Sequence, residues 1–390
     1  MDQRLMIKIS KIGVVCLKSF AVTASLIFIC GVISAFYMLP QGWALWLAWV
    51  LPLAALEFLL FWTGIILVYV SSVQLGIKIR VLGAVFGMVP VVNIFFLLKI
   101  IKTVSEEVRF ETDKLNLNEA RRAEQLCKTK YPILMVHGVF FRDYKFPGYW
   151  GRIPKELEAN GAEIYFGNQQ SAASVADSGR ELAERIKEIR EISGADKVNV
   201  IAHSKGGLDI REAVTEQGAG GMVASITTVN TPHRGCEFAE YLLEKLPVKM
   251  QKKIEASYNN TMRRLGDEAP DFMAAVRDLT AKACAERFSD SDIPKGILCR
   301  SVGSKLNKAA GGKFPLNFTY NMVKYFDGPN DGLVSESSFK WGEEYTFLTA
   351  EGSRGISHGD VIDLNRENIQ GFDVREFYVG LVAELKSKGL

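Results

Sequence analysis

Two long apolar segments fill most of the first seventy residues. They are VVCLKSFAVTASLIFICGVISAFYML at 14–39 and GWALWLAWVLPLAALEFLLFWTGIILVYV at 42–70. Each is long enough to cross roughly 30 Å of hydrocarbon as a helix. A cleavable signal peptide has one short apolar core, whereas here a second apolar segment follows the first. The pattern therefore predicts a permanent membrane anchor of two or three hydrophobic helices over residues 1–102.

A third apolar stretch, residues 81–98, leaves two arrangements open. Gly83, Gly87, Pro90 and Asn93 interrupt it, so it either spans the membrane or enters and returns on the same side. Basic residues flank the apolar segments at Arg4, Lys8, Lys11, Lys18, Lys78, Arg80, Lys99 and Lys102. Two spans and a re-entrant segment put all of them in the cytoplasm, whereas a third span puts one cluster outside. The charges favour a multi-pass protein of the cell membrane whose remaining residues are cytoplasmic.

After a charged connector at 103–129, short apolar runs alternate with amphipathic helical segments. YPILMVHG, AEIYF, VNVI and MVASITTVN are each typical of a buried strand, and helical spacing fills the segments between them. Strands that alternate with helices in this way indicate βαβ units. We expect residues 130–390 to form an α/β domain with a mostly parallel sheet flanked by helices.

Composition excludes some classes of partner and site. The chain has 390 residues and a formal net charge of +3, and no basic run with interleaved aromatics follows the anchor, so nucleic-acid binding is not indicated. Its six cysteines have no repeated spacing, which argues against a zinc ribbon. Spacing leaves open a disulfide among the four cysteines beyond the anchor, which are Cys127, Cys236, Cys284 and Cys299.

The segment IAHSKGGLDI at 201–210 places a serine between a strand and a helix. Ser204 is then at the carboxyl end of a buried strand, where open α/β sheets bind ligands. A nucleophilic serine on such a bend needs small residues two positions away on each side, and Ala202 and Gly206 meet that requirement. The alternative is a serine that only caps the following helix.

A serine nucleophile needs a histidine base and an acid that orients the base. The four histidines are His137, His203, His233 and His358. In this arrangement the base comes last in the chain, after the acid, which points to His358. Two aspartates lie in the intervening segment YFDGPNDGLVS. Asp331 is the preferred acid, and Asp327 is the alternative, with a role in capping or bracing the turn if Asp331 is correct.

Two backbone amides are candidates to stabilise an oxyanion. One belongs to Lys205, at the start of the helix after Ser204, and the other to Val139, after the first strand. We expect the amide of Lys205 to matter and its side chain to lie in solvent.

These stretches together resemble the true bacterial lipases. YPILMVHGVF, KVNVIAHSKGGLDIR, VASITTVNTPHRG, NDGLVSESS and SHGDVID occur in the same order over roughly residues 130–388. The resemblance implies an α/β-hydrolase fold and cleavage of acylglycerol esters without a required cofactor. It also implies roles for Ser204, Asp331 and His358 as the catalytic triad, Val139 and Lys205 as the oxyanion hole, and His137, Gly138, Ala202 and Gly206 as supporting residues of the loop and bend.

Many members of that family hold a structural calcium near the histidine loop. Asp360 matches one ligand position, but residues 299–315 offer no convincing partner aspartate. The alternative for Asp360 is a carboxylate that caps the helix of VIDLN. The resemblance does not reach the apolar N-terminal segment, and members of the family are mostly secreted.

A long insertion, about 236–321, is largely helical in pattern and predicts a lid over the sheet. Three function classes remain open at this point. The first is a hydrolase of lipid esters, the second a lipid acyltransferase with the same triad, and the third a non-catalytic membrane scaffold.

Overall fold

The chain divides into two compact units, Met1–Ala120 and Arg121–Leu390. The structure, a computed structural model, describes residues 3–87, 89, 91–139, 148–264, 266–289 and 294–390. The boundary falls inside the predicted connector at 103–129, because the helix that begins at Val92 continues to Ala120.

Within its described residues, the first unit contains four α-helices. They are α1 (Gln3–Met38), α2 (Trp43–Ser71), α3 (Gly76–Phe86) and α4 (Val92–Ala120). Glycines let α1 and α2 pack closely, because a Cβ at Gly13 would lie 2.8 Å from Val68 and one at Gly64 would lie 2.7 Å from Leu17. Small residues serve the same purpose between helices in membranes, where close van der Waals packing drives association.

The apolar stretch 81–98 is divided between the end of α3 and the start of α4. It therefore does not form one continuous helix. Two of its residues, Met88 and Pro90, lie outside the described residues. The re-entrant arrangement stays a prediction.

The second unit contains a six-stranded parallel sheet. The strands are β1 (Ile133–Val136), β2 (Ile164–Phe166), β3 (Val198–His203), β4 (Val223–Val229), β5 (Leu298–Ser304) and β6 (Glu344–Leu348), in the order β2-β1-β3-β4-β5-β6. The helices are α5 (Ile153–Ala159), α6 (Val175–Ser193), α7 (Lys205–Thr215), α8 (Glu237–Lys245), α9 (Val248–Arg264), α10 (Phe272–Arg277), α11 (Ala281–Arg287), α12 (Leu316–Asp327), α13 (Glu336–Phe339) and α14 (Val374–Ser387). The predicted α/β class and the four predicted strands are confirmed.

Both faces of the sheet are covered, which explains the continuous apolar runs. Successive residues of a strand point to opposite faces. In β3, Ala202 packs in a cluster with residues of α6 and α7, whereas Ile201 packs in a second cluster with residues of α5 and α14. The carboxyl ends of all the strands meet at one edge of the sheet.

The predicted insertion at about 236–321 is wrong at its C-terminal end. Helices α8 to α11 occupy Glu237–Arg287, but the chain then returns to the sheet as β5. The sequence LCRSVGS did not suggest a buried strand because it carries an arginine. The guanidinium of Arg300 is satisfied by the hydroxyl of Thr227, the carboxylate of Glu384 and the carbonyl of Leu381.

All six cysteines are free thiols. In the second unit, burial raises the thiol pKa of each to about 12; these residues are Cys127, Cys236, Cys284 and Cys299. They are therefore protonated packing residues at neutral pH, and the disulfide left open by the sequence is not formed.

Candidate active site

Ser204 lies at a sharp bend between β3 and α7, at the carboxyl edge of the sheet. Its backbone φ of 55° and ψ of −131° are rare for a residue with a side chain and cost about 1–3 kcal/mol. Its amide donates to the carbonyl of Val229 at 3.0 Å. A Cβ added at Gly206 would lie 2.4 Å from the carbonyl oxygen of His137, and Ala202 is fully buried. The small residues at the bend are therefore needed for close contact between α7 and the loop after β1.

The hydroxyl of Ser204 faces a histidine. It makes no capping bond to α7, so the capping alternative does not describe this serine. Instead, Ser204 Oγ lies 3.0 Å from Nε2 of His358, and Nδ1 of His358 lies 2.7 Å from Oδ2 of Asp331. The three side chains, which come from distant parts of the chain, form one buried hydrogen-bonded line. This geometry allows a base to take the serine proton while a carboxylate holds the imidazole.

The carboxylate of Asp331 is fully satisfied. Its Oδ1 accepts from the amides of Leu333 at 2.9 Å and Val334 at 2.8 Å. Its Oδ2 accepts from Nδ2 of Asn230 at 2.6 Å in addition to His358. Sequence reasoning missed Asn230, although its position directly after β4 was a signal. Together these donors fix the direction in which the carboxylate points.

Asp327 has a separate structural role. Its Oδ1 accepts from the amide of Glu237 at 3.2 Å and its Oδ2 from the amide of Phe238 at 3.3 Å. It therefore caps the start of α8, where backbone amides have no partner within the helix.

A second histidine, His203, joins the loop after β1 to the loop of His358. Its Nε2 donates to the carbonyl of His358 at 3.1 Å, so its Nδ1 accepts from the hydroxyl of Tyr149 at 2.6 Å. The same hydroxyl accepts from the amide of Gly138 at 2.9 Å. Burial and the neighbouring His358 hold the pKa of His203 well below its usual range, which agrees with a neutral ring. Sequence reasoning missed Tyr149, for which no pattern offered a signal.

The other two histidines are bound elsewhere. The ring of His137 lies between the carbonyls of Gly138 at 2.8 Å and Gln169 at 3.0 Å, which fixes the loop after β1. Nε2 of His233 lies 2.9 Å from the hydroxyl of Thr228, and burial holds its pKa well below the usual range. His358 is thus the histidine whose ring lies within hydrogen-bond distance of Ser204.

The two predicted oxyanion amides belong to the residue after Ser204 and to the loop after β1. Lys205 is the first residue of α7, so its amide has no partner within the helix. Val139 follows Gly138, where an added Cβ would lie 2.7 Å from the Cβ of Ser204. The loop after β1 therefore lies directly against the serine, and the role of both amides stays a prediction.

The prediction that the side chain of Lys205 lies in solvent is wrong. Its ammonium is buried, 2.6 Å from Oδ1 of Asp209 and 3.0 Å from the hydroxyl of Ser178. Burial raises the pKa of Asp209 to about 6, although the charge of Lys205 opposes this change. The side chain of Lys205 is buried because residues four apart on α7 lie on the same face of the helix, and this face packs against α6.

Both carboxylate oxygens of Asp360 have protein partners. Its Oδ1 accepts from the guanidinium of Arg354 at 3.0 Å, and its Oδ2 accepts from the amide of Ser357 at 2.9 Å. Arg354 also binds Glu367 at 2.7 Å. An arginine thus supplies the positive charge beside the histidine loop. Among the described residues, no group of three or more His, Cys, Asp or Glu side chains is placed to hold a metal.

Known proteins similar to this chain are lipases. A triacylglycerol lipase of Pseudarthrobacter phenanthrenivorans is 35% identical over 178 residues, which cover 42% of this chain and 54% of that protein. A triacylglycerol lipase of Burkholderia plantarii is 35% identical over 178 residues, covering 42% of this chain and 48% of that protein. The chain thus spans about half the length of these curated relatives. No model of a protein family matches it.

Solved structures share the fold at low sequence identity. The Staphylococcus hyicus lipase has a TM-score of 0.51 and 19% identity, covering 67% of this chain and 97% of its own. A metagenomic carboxyl esterase has a TM-score of 0.52 and 14% identity, covering 67% of this chain and 76% of its own. The chain is thus similar in sequence to triacylglycerol lipases, and it shares its fold with a lipase and a carboxyl esterase of known structure.

Proposed function

We propose that the protein is a membrane-anchored serine hydrolase that cleaves carboxylic esters of lipids through an acyl-enzyme intermediate. The observation that carries this proposal is the buried line from Ser204 through His358 to Asp331. The similarity to triacylglycerol lipases supports the ester substrate. The site argues against a non-catalytic scaffold, because a strained serine bend and a satisfied buried aspartate are costly to maintain without use.

In the first half of the reaction, Ser204 Oγ attacks the carbonyl carbon of the ester. Nε2 of His358 takes the hydroxyl proton as the new C–O bond forms, and the amides of Val139 and Lys205 hold the resulting oxyanion. The oxyanion collapses, the ester C–O bond breaks, and His358 gives its proton to the departing alcohol. The product left on the enzyme is an acylated Ser204.

In the second half, water takes the place of the alcohol. His358 removes a proton from the water as it attacks the acyl carbon, and returns that proton to Ser204 Oγ as the acid leaves. Asp331 stays ionised throughout and stabilises the imidazolium. The chemistry requires no cofactor.

Exposed apolar side chains on α9 and α12 support a lipid substrate. Val248 is 67% exposed, Phe318 67% and Tyr325 83%. Such side chains can contact a lipid surface or an acyl chain. We propose that α8 to α11, together with α12, form the lid of the site and make this contact with lipid.

A product analysis tests hydrolysis against acyl transfer. With a short-chain acyl ester in water plus a competing alcohol, a hydrolase releases free acid as the main product. The measurement is the ratio of free acid to new ester by chromatography. A product that is mainly new ester at modest alcohol concentration would instead establish the acyltransferase alternative, which uses the same residues.

The anchor is proposed to be multi-pass. Both α1 and α2 are long and apolar enough to cross a membrane. After two spans the chain is again on the side of the membrane where it started. The basic residues that flank the spans indicate that this side is the cytoplasm. The hydrolase unit is then cytoplasmic.

Protease protection measures the side directly. We expect externally added protease to spare Arg121–Leu390 in intact spheroplasts and to digest it after lysis. A periplasmic protein serves as the control for access. Digestion of the hydrolase unit before lysis would contradict a cytoplasmic location.

A further inference from the structure

An apolar groove runs along the first unit between α1 and α2. Its walls extend from Ala24 to Leu39 on one side and from Trp46 to Glu57 on the other, and its volume is about 770 Å³. This is within the range of about 300–1,000 Å³ that is usual for small-molecule sites. We call it the anchor groove. It is made of residues within one unit and is distinct from the site at Ser204.

One ionisable residue lines the groove, and one oxygen of its carboxyl group lacks a hydrogen-bond partner in the described part of the chain. Glu57 is 8% exposed, and its Oε2 has no hydrogen-bond partner in the described part of the chain. A buried polar atom without a partner is costly in apolar surroundings. Polar residues that persist inside membrane segments usually have a function. Oε2 therefore marks one place in the groove where a ligand atom would be stabilised.

The hydrogen atoms around Glu57 define which kind of ligand atom fits. Thr23 Oγ lies 2.8 Å from the carbonyl oxygen of Ser19 and 2.6 Å from Oε1 of Glu57. The single hydrogen of the Thr23 hydroxyl is shared between these two acceptors, so Oε1 of Glu57 already has a partner whereas Oε2 has none in the described part of the chain. Oε2 of Glu57 is thus an oxygen that can accept a hydrogen bond from a ligand. The matching ligand carries a hydrogen-bond donor.

The position of Glu57 along the span suits a lipid head group. Thr23 is five residues beyond Lys18, which places the acceptor about 8 Å deeper than the last basic residue of α1. From that level the groove extends about 16 Å along α2, from Glu57 to Trp46. A molecule with its head at Glu57 would run its tail along the groove, away from the basic side.

We propose that the anchor groove binds a monoacylglycerol, with a glycerol hydroxyl on Glu57 and the acyl chain along α1 and α2. An uncharged hydroxyl donates at every pH, whereas a fatty acid donates only in its protonated form. The chemical class rests on the proposed function, because hydrolysis of acylglycerol esters produces or consumes monoacylglycerols. The groove and its unpartnered oxygen do not depend on that function.

Photolabelling of the full-length protein in phosphatidylcholine vesicles tests the proposal. The probe is a monoacylglycerol with a diazirine in its acyl chain, and mass spectrometry locates the labelled residues. We expect labels within 24–39 and 46–57, displaced by unlabelled monoacylglycerol. Glu57→Leu should lower this labelling about tenfold. Glu57→Gln keeps an oxygen that accepts from Thr23 and an amide group that a glycerol hydroxyl can bond, so it should retain most of the labelling.

A second variant fills the groove. A Cβ at Gly31 would meet no atom within 4 Å, so Gly31→Leu can occupy the groove without a backbone clash and should also lower labelling about tenfold. Val22→Phe is the matched control, because Val22 is 62% exposed on the same helix and does not line the groove. If Gly31→Leu does not fold, the difference in labelling between Glu57→Leu and Glu57→Gln still tests the proposal.

Three results would overturn the proposal. The first is equal labelling by a diazirine alkane without a head group, which would indicate ordinary surrounding lipid. The second is labelling by a fatty-acid probe but not by the monoacylglycerol. The third is a wild-type protein that forms a dimer and shows no lipid labelling, together with a Gly31→Leu variant that no longer forms the dimer. A second copy of the chain would then be the occupant of the anchor groove. Ester hydrolysis by the wild type is measured in parallel, so failure of the proposed function is seen separately from failure of the groove.

Discussion

Ser204→Ala is expected to abolish labelling by a fluorophosphonate probe and to lower ester hydrolysis by about 10⁴- to 10⁶-fold. The reason is that Oγ is the atom that forms and breaks the acyl bond, and the neighbouring amides cannot replace it. The oxyanion amides and substrate binding retain a small rate above that in water. The measurement is the initial rate on a soluble short-chain ester, together with probe labelling in a gel.

A buried serine elsewhere on the sheet provides the control. The hydroxyl of Ser225 donates to Oδ1 of Asn199 at 2.7 Å and is not part of the site. Ser225→Ala removes a similar buried hydroxyl and should keep both labelling and hydrolysis. If Ser204→Ala still reacts with the probe, the nucleophile is another residue and the proposed mechanism is wrong.

The sequence was most informative where local pattern and local chemistry coincide. The bend at Ser204 needs a strand, a strained residue and small neighbours, and all three are visible within ten consecutive residues. His358 could be found because histidine is rare in this chain. Asp331 could be found because it lies between the two in sequence order. These inferences needed no knowledge of which side chains meet across the fold.

Contacts between distant residues could not be read from the pattern. The sequence pattern did not predict β5 because Arg300 interrupts its apolar run. The partners that allow this charge to be buried come from distant parts of the chain. The ammonium of Lys205 binds Asp209 on its own helix and also Ser178, a residue of α6. Tyr149 meets His203 across 54 positions. In each case the side chain is polar, and at least one of its hydrogen-bond partners lies far away in the sequence.

The sequence left open whether Asp360 binds calcium or caps a helix. Asp360 occupies a position that resembles a ligand site, but its oxygens are bound by Arg354 and by the amide of Ser357. Burial alone would raise the pKa of Glu367, yet hydrogen bonds from Lys313 and Arg354 outweigh it and hold that pKa below its usual value. Lys313 and Arg354 therefore supply positive charge beside the histidine loop. Similarity to the lipase family at Asp360 alone was not enough to predict a metal site.

Asp331→Asn is expected to lower kcat/KM for ester hydrolysis by about 10³- to 10⁴-fold, whereas Asp327→Asn should have little effect on it. An asparagine at 331 presents a neutral amide to Nδ1 of His358 and no longer stabilises the imidazolium. It also loses the charge that accepts from Asn230, Leu333 and Val334. Initial rates with a soluble ester at several pH values measure both variants.

The two aspartates form a matched pair because they are four residues apart and both precede a glycine. Asp327 caps α8, so Asp327→Asn should destabilise the protein by up to about 1 kcal/mol in thermal or denaturant unfolding while leaving the chemistry intact. Asp331→Asn should keep the fluorophosphonate-reactive serine in place but slow its reaction. The opposite pattern, in which the variant at 327 loses turnover and the one at 331 remains active, would assign the acid to Asp327. That outcome is not compatible with the 2.7 Å contact between Asp331 and His358, because a carboxylate at that distance controls which imidazole nitrogen carries the proton.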